Sequence, residues 1–178
     1  GVGSKKYPAR SLSTLARASR TGFSTPTRGT SVSENGTRVG VTGHSWGGYS
    51  STRLLLDAPD VYTCAVSSAP GYDPFASVLY ECYLGLPQDH PAAYHAANVI
   101  ERAPALSRPL MIVCGTSDHF CWGDAMKMTE ALIRARKPHE FVPLPGQGHG
   151  FDGVHDEYFH RSRAEFFIKH LGPASATT

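Results

Sequence analysis

One serine in this chain stands in a setting that favours nucleophilic chemistry. Ser45 lies in the sequence Gly-His-Ser-Trp-Gly-Gly, after an apolar run at about 38–43 and before a helix predicted at about 47–58. A tight turn between a strand and a helix holds its central residue in a strained conformation and exposes the side chain. A hydroxyl exposed in this way attacks a carbonyl carbon once a base takes its proton. We therefore predict that Ser45 is a nucleophile.

The residues around this serine are expected to shape the turn. A side chain at Gly43 or Gly47 would crowd the neighbouring strand or helix, so both positions are predicted to need glycine. The helix that follows also points its first backbone N–H groups at the serine. The N–H of Trp46 is therefore the candidate donor of an oxyanion hole.

An acid and a base follow Ser45 along the chain. Asp118 comes after the apolar run 109–115, and His149 lies in the loop after a shorter apolar stretch at 141–144. All three residues thus follow the carboxyl ends of predicted strands, the edge of an open α/β sheet where ligands bind. A histidine can take the serine proton near neutral pH, and an aspartate can fix its tautomer and stabilise the imidazolium.

The elements that must position these residues alternate between strand and helix. Further strands are predicted at about 63–67, 110–114 and 140–144, and further helices at about 123–135 and 155–170. An excursion over 69–107 has short helical stretches near 74–83 and 91–99. This alternation predicts an α/β fold with a parallel sheet.

Residues 38–171 resemble the catalytic region of the prolyl oligopeptidase family, especially its dipeptidyl-peptidase IV and acylaminoacyl-peptidase branches. The stretches that carry the resemblance are 43–49, 80–87, 115–118 and 148–151. The resemblance implies part of an α/β-hydrolase fold, with a mainly parallel sheet of about four strands flanked by helices. It also implies that Ser45 is the nucleophile, Asp118 the orienting acid and His149 the base.

The resemblance further implies an apolar S1 pocket for the substrate side chain. The corresponding positions are Tyr72, Phe75 and Leu79. Dipeptidyl peptidases carry tyrosine where Leu79 stands, and usually asparagine where Phe120 stands, so a preference for proline stays open. The alternative is that the three predicted pocket residues are ordinary core or helix-packing residues.

The resemblance implies strands before Ser45 that would need over a hundred residues. We therefore expect an incomplete sheet whose serine-bearing strand lies at an exposed edge, and such an edge invites self-association into a homo-oligomer. A second oxyanion donor, normally supplied by that upstream segment, is expected to be missing. The loss of one donor costs roughly 10²–10³ in turnover.

The flanking segments differ from the rest in composition. Residues 1–37 hold 13 serines or threonines, and six lysines or arginines against one glutamate. We expect this segment to be disordered or not native to the fold, with 38–172 as the catalytic part and 173–178 as a tail. It resembles a targeting segment, out-of-frame sequence or a linker from a longer protein. Because a targeting segment would not replace the missing strands, we favour an incomplete sequence.

Composition excludes several other classes of function. Outside 1–37 the chain has 11 basic and 14 acidic residues, which argues against nucleic-acid binding. No apolar run approaches 18 residues, so no membrane span is predicted. Cys64 and Cys114 are predicted to be buried free thiols. These thiols leave the compartment open, with the cytoplasm slightly favoured.

No cofactor or metal is predicted. Histidines and aspartates cluster in sequence from the candidate base onwards, at His149, Asp152, His155, Asp156 and His160. Their spacing matches no metal-ligand signature, so we interpret them as residues of a solvated loop and helix face.

Three functions are considered. The leading hypothesis is a serine peptidase that cleaves short peptides through an acyl-enzyme on Ser45. The alternative with the same three residues is a carboxylesterase acting on small acyl esters. The alternative of another class is an inactive truncated remnant or an interaction fragment.

Overall fold

Four apolar segments form one parallel sheet in the computed structural model, which describes residues 38–172. The strands lie side by side in chain order, and they are β1 (Val39–His44), β2 (Tyr62–Ser68), β3 (Leu110–Gly115) and β4 (Glu140–Leu144). Every residue of β3 is buried, because helices cover both faces of the sheet at its centre. The predicted parallel α/β architecture is confirmed.

Helices connect the strands and cover the two faces. The α-helices are α1 (Trp46–Asp57), α2 (Glu81–Leu84), α3 (Pro91–Ala97), α4 (Trp122–Arg134) and α5 (Gly153–Leu171). Short 3-10 helices occupy Pro74–Ala76, Val78–Tyr80 and Ile100–Ala105 in the excursion between β2 and β3. The three long helices begin and end within two residues of their predicted bounds. No helix within 38–172 is both long and apolar enough to cross a bilayer.

The core consists of two layers, one on each face of the sheet. Alternate residues of β3 point to opposite faces, so Ile112 joins one layer and Val113 the other. The first layer holds Leu55 of α1 and Met128 of α4. The second holds Phe166 of α5. Because the sheet is fixed from both sides, its carboxyl edge is a rigid platform for the loops that follow each strand.

Strand β1 lies at one edge of this sheet. Within the described residues its only strand partner is β2, with Gly43 opposite Ser67 and His44 opposite Ser68. The expected exposure of this edge, and self-association through it, stay predictions. The expectations for 1–37 and 173–178 lie outside the described residues.

The two glycines that flank Ser45 differ in their steric roles. A methyl group built on Gly43 would overlap the backbone of Gly47, because α1 begins directly against the end of β1. A methyl group on Gly47 would meet no atom within 4 Å. The prediction of crowding is therefore right for Gly43 and wrong for Gly47. The second crowded position is Gly48, where the added carbon would lie 2.6 Å from the carbonyl oxygen of Ser68.

We expect the substitution Gly43→Ala to lower the free energy of unfolding by about 1–3 kcal/mol, since the overlap forces β1 and α1 apart. The matched substitution Gly47→Ala is expected to be neutral or stabilising by up to about 1 kcal/mol, because alanine is the better residue inside a helix. Urea unfolding of both variants measures the difference. Equal stability of the two would contradict the close approach at Gly43.

Candidate active site

Ser45 sits in a strained turn between β1 and α1. Its φ is 58° and its ψ is −117°, a conformation that residues with a side chain rarely adopt. Its N–H donates to the carbonyl of Ser68 at 2.9 Å, and its own carbonyl accepts from Tyr49 at 3.1 Å as the helix begins. The neighbouring strand and the following helix therefore hold the strain that presents the hydroxyl.

The three predicted chemical residues meet in one hydrogen-bonded chain. Ser45 Oγ lies 2.8 Å from His149 Nε2, and His149 Nδ1 lies 2.9 Å from Asp118 Oδ2. With the imidazole proton on Nδ1, the serine hydroxyl donates to Nε2 and Nδ1 donates to the carboxylate. The residues come from the loops after β1, β3 and β4, so this contact spans the carboxyl edge of the sheet.

Asp118 is held as an anion in a buried position. Its side chain is 0% exposed, and its Oδ1 accepts from the N–H groups of Phe120 and Cys121 at 2.9 and 3.0 Å. Burial alone would raise the pKa of Asp118. The hydrogen bonds from His149 and from these two amides outweigh burial and hold the pKa below its usual value. The carboxylate can therefore orient and stabilise a charged imidazole.

The loops that carry the acid and the base are joined by backbone hydrogen bonds. Ser117 N–H donates to the carbonyl of Gln147 at 2.9 Å, and Thr116 N–H donates to that of Leu144 at 3.0 Å. A side chain on Gly115 would overlap the Gln147 carbonyl. Sequence reasoning missed the positioning role of Gly115 and Gln147, although Gly115 begins the stretch 115–118 that carries the resemblance and Gln147 lies in the predicted loop of His149.

His44 lies beside the hydrogen-bonded chain. Its ring centroid is 5.2 Å from that of His149, and its Nδ1 is 3.0 Å from Ser68 Oγ. Partial burial, and then the neighbouring His149, lower the pKa of His44. A neutral ring there packs against the candidate base without repelling the charge that the base would acquire. Sequence reasoning gave this residue no role.

Two buried thiols flank the acid. Cys121 Sγ lies 3.8 Å from His149 Nδ1, and Cys114 Sγ lies 4.0 Å from Asp118 Oδ2. Burial raises the pKa of both thiols, that of Cys114 to about 12. The prediction that Cys64 and Cys114 are buried free thiols is confirmed. The place of Cys121 was missed, and its only signal was a position three residues after Asp118.

A cavity of about 530 Å³ opens beside Ser45. Its apolar walls come from four aromatic residues and one leucine: Trp46, Leu79, Tyr80, Tyr83 and Phe120. The indole of Trp46 stacks on Tyr49 and Tyr83, with ring centroids 5.1 and 5.6 Å away. The cavity is wide and apolar enough to receive a hydrophobic side chain next to the serine hydroxyl.

The lining of this cavity differs from the predicted pocket at two positions. Leu79 is one of the residues that line the cavity, whereas its role in substrate binding stays a prediction. Tyr72 lies outside the lining, because its side chain is fully buried and its hydroxyl is hydrogen-bonded to Thr52 and Ser67 at 2.8 and 2.7 Å. Phe75 lies outside it too, with its ring packed 5.1 Å from that of Tyr94. Tyr80 and Tyr83, which were not predicted as pocket residues, line the cavity.

Trp46 is the first residue of α1, where a backbone N–H has no carbonyl of a preceding turn to bond. This amide directly follows the strained serine in the chain. Its role in an oxyanion hole stays a prediction.

One group of possible metal ligands comes together within residues 38–172. It consists of Asp118, Cys121 and His149, whose donor atoms all lie within 4.8 Å of one another. The other histidines and aspartates that we interpreted as a solvated loop and helix face are not part of this group. His155 instead lies beside Gln147, and His160 pairs with Asp156 on α5.

Comparisons with known proteins place this arrangement in a family. The sequence model of the prolyl oligopeptidase family matches residues 33–174. Human prolyl endopeptidase FAP is 26% identical over 137 residues, which cover 72% of this chain and 18% of that protein. Inactive dipeptidyl peptidase 10 of Rattus norvegicus is 26% identical over 136 residues, which cover 73% of this chain and 17% of that protein.

Solved structures agree with this match. The crystal structure of Porphyromonas gingivalis dipeptidyl peptidase 4 superposes with a TM-score of 0.71 at 24% identity, covering 74% of this chain and 19% of that one. The fold is therefore that of the α/β-hydrolase peptidases, as predicted. The chain spans about a fifth of the length of the relatives it matches. Because the family match covers most of the sequence, the chain belongs to the prolyl oligopeptidase family of serine peptidases.

Proposed function

We propose that this chain is a serine hydrolase that works through an acyl-enzyme on Ser45, with His149 as the base and Asp118 as the orienting acid. The observation that carries the proposal is the unbroken chain of hydrogen bonds, 2.8 Å from Ser45 to His149 and 2.9 Å from His149 to Asp118. These distances suit direct proton transfer.

In the proposed reaction, Ser45 Oγ attacks the substrate carbonyl carbon as its proton passes to His149 Nε2. The imidazolium so formed is stabilised by the Asp118 carboxylate. The carbonyl oxygen becomes an oxyanion, which the N–H of Trp46 would stabilise. His149 then gives the proton to the leaving group, and an acyl-enzyme remains. Water, activated by the same histidine, releases the acid and restores the serine.

Short peptides are the substrates we favour. The relatives include a prolyl endopeptidase, and the apolar cavity beside Ser45 suits a hydrophobic side chain next to the cleaved bond. A second candidate is a carboxylesterase. It is supported by the expectation that the second oxyanion donor is missing, because an ester with a good leaving group needs less stabilisation than an amide. An inactive interaction fragment is the third candidate, and the match to an inactive relative is what supports it.

A fluorophosphonate probe tests the proposed function. We expect one equivalent of the probe to react with the purified chain, with the adduct located on Ser45 by peptide mass spectrometry, and no adduct on Ser45→Ala. A p-nitrophenyl ester and the matching aminoacyl or Xaa-Pro amide then separate the candidates. Turnover of both supports the peptidase, and turnover of the ester alone supports the esterase. A folded chain that takes up no probe would reject hydrolase activity.

A further inference from the structure

We propose that Asp118, Cys121 and His149 form an inhibitory site for Zn²⁺. The proposal rests on the proposed function only for its inhibitory effect, because binding itself does not require turnover. We choose Asp118 Oδ2, Cys121 Sγ and His149 Nδ1 as the donor atoms, because Nδ1 is the ring nitrogen that lies near both other atoms. They belong to the loops after β3 and β4 and to the turn that begins α4.

The chemistry of these donors selects zinc. A thiolate, an imidazole and a carboxylate are its ordinary protein ligands, whereas Ca²⁺ and Mg²⁺ prefer oxygen alone. Zinc sites with three protein ligands leave a fourth position for water. Here that position would face the cavity, which is lined by both Cys121 and His149. The cavity therefore gives an ion a route to a site whose acid is buried.

The distances are close to those of a zinc site. Bonds of about 2.0–2.3 Å arranged in a tetrahedron place neighbouring donor atoms roughly 3.3–3.7 Å apart. In this structure His149 Nδ1 lies 2.9 Å from Asp118 Oδ2 and 3.8 Å from Cys121 Sγ, and each of the three residues offers a ligand atom within 4.8 Å of the other two. Adjustments of about 1 Å would bring all three into contact with one ion. The amides of Phe120 and Cys121 can keep holding Asp118 Oδ1 meanwhile.

Zinc at this site would prevent His149 from acting as a base, because it would change which ring nitrogen carries the proton. The ion replaces the proton on His149 Nδ1, and that proton moves to Nε2. The thiol of Cys121 loses its proton to solvent, so binding releases one proton overall while Asp118 stays a carboxylate. A neutral imidazole that carries its proton on Nε2 cannot accept another from Ser45 there. Inhibition would therefore be reversible and would disappear when a chelator removes the ion.

The experiment titrates the full chain with ZnCl₂ and follows binding by calorimetry. Co²⁺ serves as a spectroscopic substitute, since a cobalt–thiolate bond gives a charge-transfer absorption that nitrogen and oxygen ligands do not give. We expect binding of one ion, a thiolate band with Co²⁺, and loss of both fluorophosphonate labelling and turnover at saturating zinc. A chelator should restore labelling and turnover.

The matched variants are Cys121→Ser and Cys64→Ala. Cys121→Ser is expected to weaken zinc binding by at least about tenfold and to abolish the thiolate band. Loss of a residue that only supports a metal ligand already costs about tenfold or more in affinity, and Cys121 would bind the ion directly. Cys64 is buried in the other core layer, and its variant should bind zinc like the parent chain. Each variant's inhibition is measured against its own rate without zinc.

Binding and activity give separate answers. Zinc binding with the thiolate band in a chain that proves inactive would support the site and reject only the proposed function. An active chain that binds no zinc would reject the site and leave the proposed function intact. The site is also rejected if Cys121→Ser binds zinc as tightly as the parent chain, or if saturated protein keeps its full labelling rate.

Discussion

Replacing His149 with alanine is expected to lower kcat for ester or peptide hydrolysis by about 10⁶, close to the loss seen when the serine or the histidine of a serine hydrolase triad is removed. The physical reason is that Ser45 Oγ then has no acceptor for its proton, since His149 Nε2 at 2.8 Å is the hydrogen-bond partner that the structure gives it. A neutral hydroxyl is a weak nucleophile without such a base. Steady-state kinetics with a p-nitrophenyl ester measures the loss.

The control for this prediction is a histidine of similar exposure outside the site. The side chain of His149 is 38% exposed, so its removal should change the melting temperature little, and a thermal melt checks this. His160→Ala on α5 removes an exposed ring whose polar partners, Asp156 and Arg163, lie on the same helix, and it should keep the full rate. If His149→Ala retains more than about a tenth of the parent rate, Ser45 is not activated in the proposed way.

Much of the fold could be predicted because the strands are buried on both faces. The run at 110–114 contains only apolar residues and cysteine, and a continuous apolar segment of this length is typical of a central parallel strand. The strand predicted at 140–144 has the bounds observed for β4. The helix after it has a weaker pattern, yet its predicted ends differ from those of α5 by two residues or fewer.

The meeting of the three chemical residues could be anticipated from the order of strands. Residues that follow neighbouring parallel strands lie at the same sheet edge, whatever the sequence distance between them. Ser45 and His149 are 104 residues apart and still make a hydrogen bond. The sequence pattern could not predict the strained backbone conformation that orients Ser45. That conformation depends on the close packing of α1 against Gly43 and on the hydrogen bond from the Ser45 N–H to the Ser68 carbonyl.

The residues that line the cavity could not be predicted as well as the strands or the three chemical residues. The excursion after β2 turns through short helices, so a small rotation decides which side chains face Ser45. That rotation is set from outside the segment: the buried carboxylate of Asp124 on α4 accepts the N–H groups of Tyr72 and Asp73 at 2.8 and 2.9 Å. This contact holds Tyr72 in the core and leaves Tyr80 and Tyr83 to line the cavity. No local pattern encodes a bond between residues about fifty positions apart.

Replacing Asp118 with asparagine is expected to lower kcat by up to about 10⁴ with little change in the fold. The amides of Phe120 and Cys121 both donate to Oδ1, so an asparagine would turn its carbonyl oxygen towards them. Its NH₂ group would then face His149 Nδ1 and donate to it.

With Nδ1 as an acceptor, the imidazole of His149 would carry its proton on Nε2 and could not take the proton of Ser45. Kinetics with the same ester measures the loss, and Asp156→Asn on the surface of α5 is the control that should keep the parent rate. A loss smaller than about tenfold for Asp118→Asn would mean that the orientation of the imidazole is set elsewhere. The buried carboxylate would then be needed for the packing of the loop and not for the chemistry.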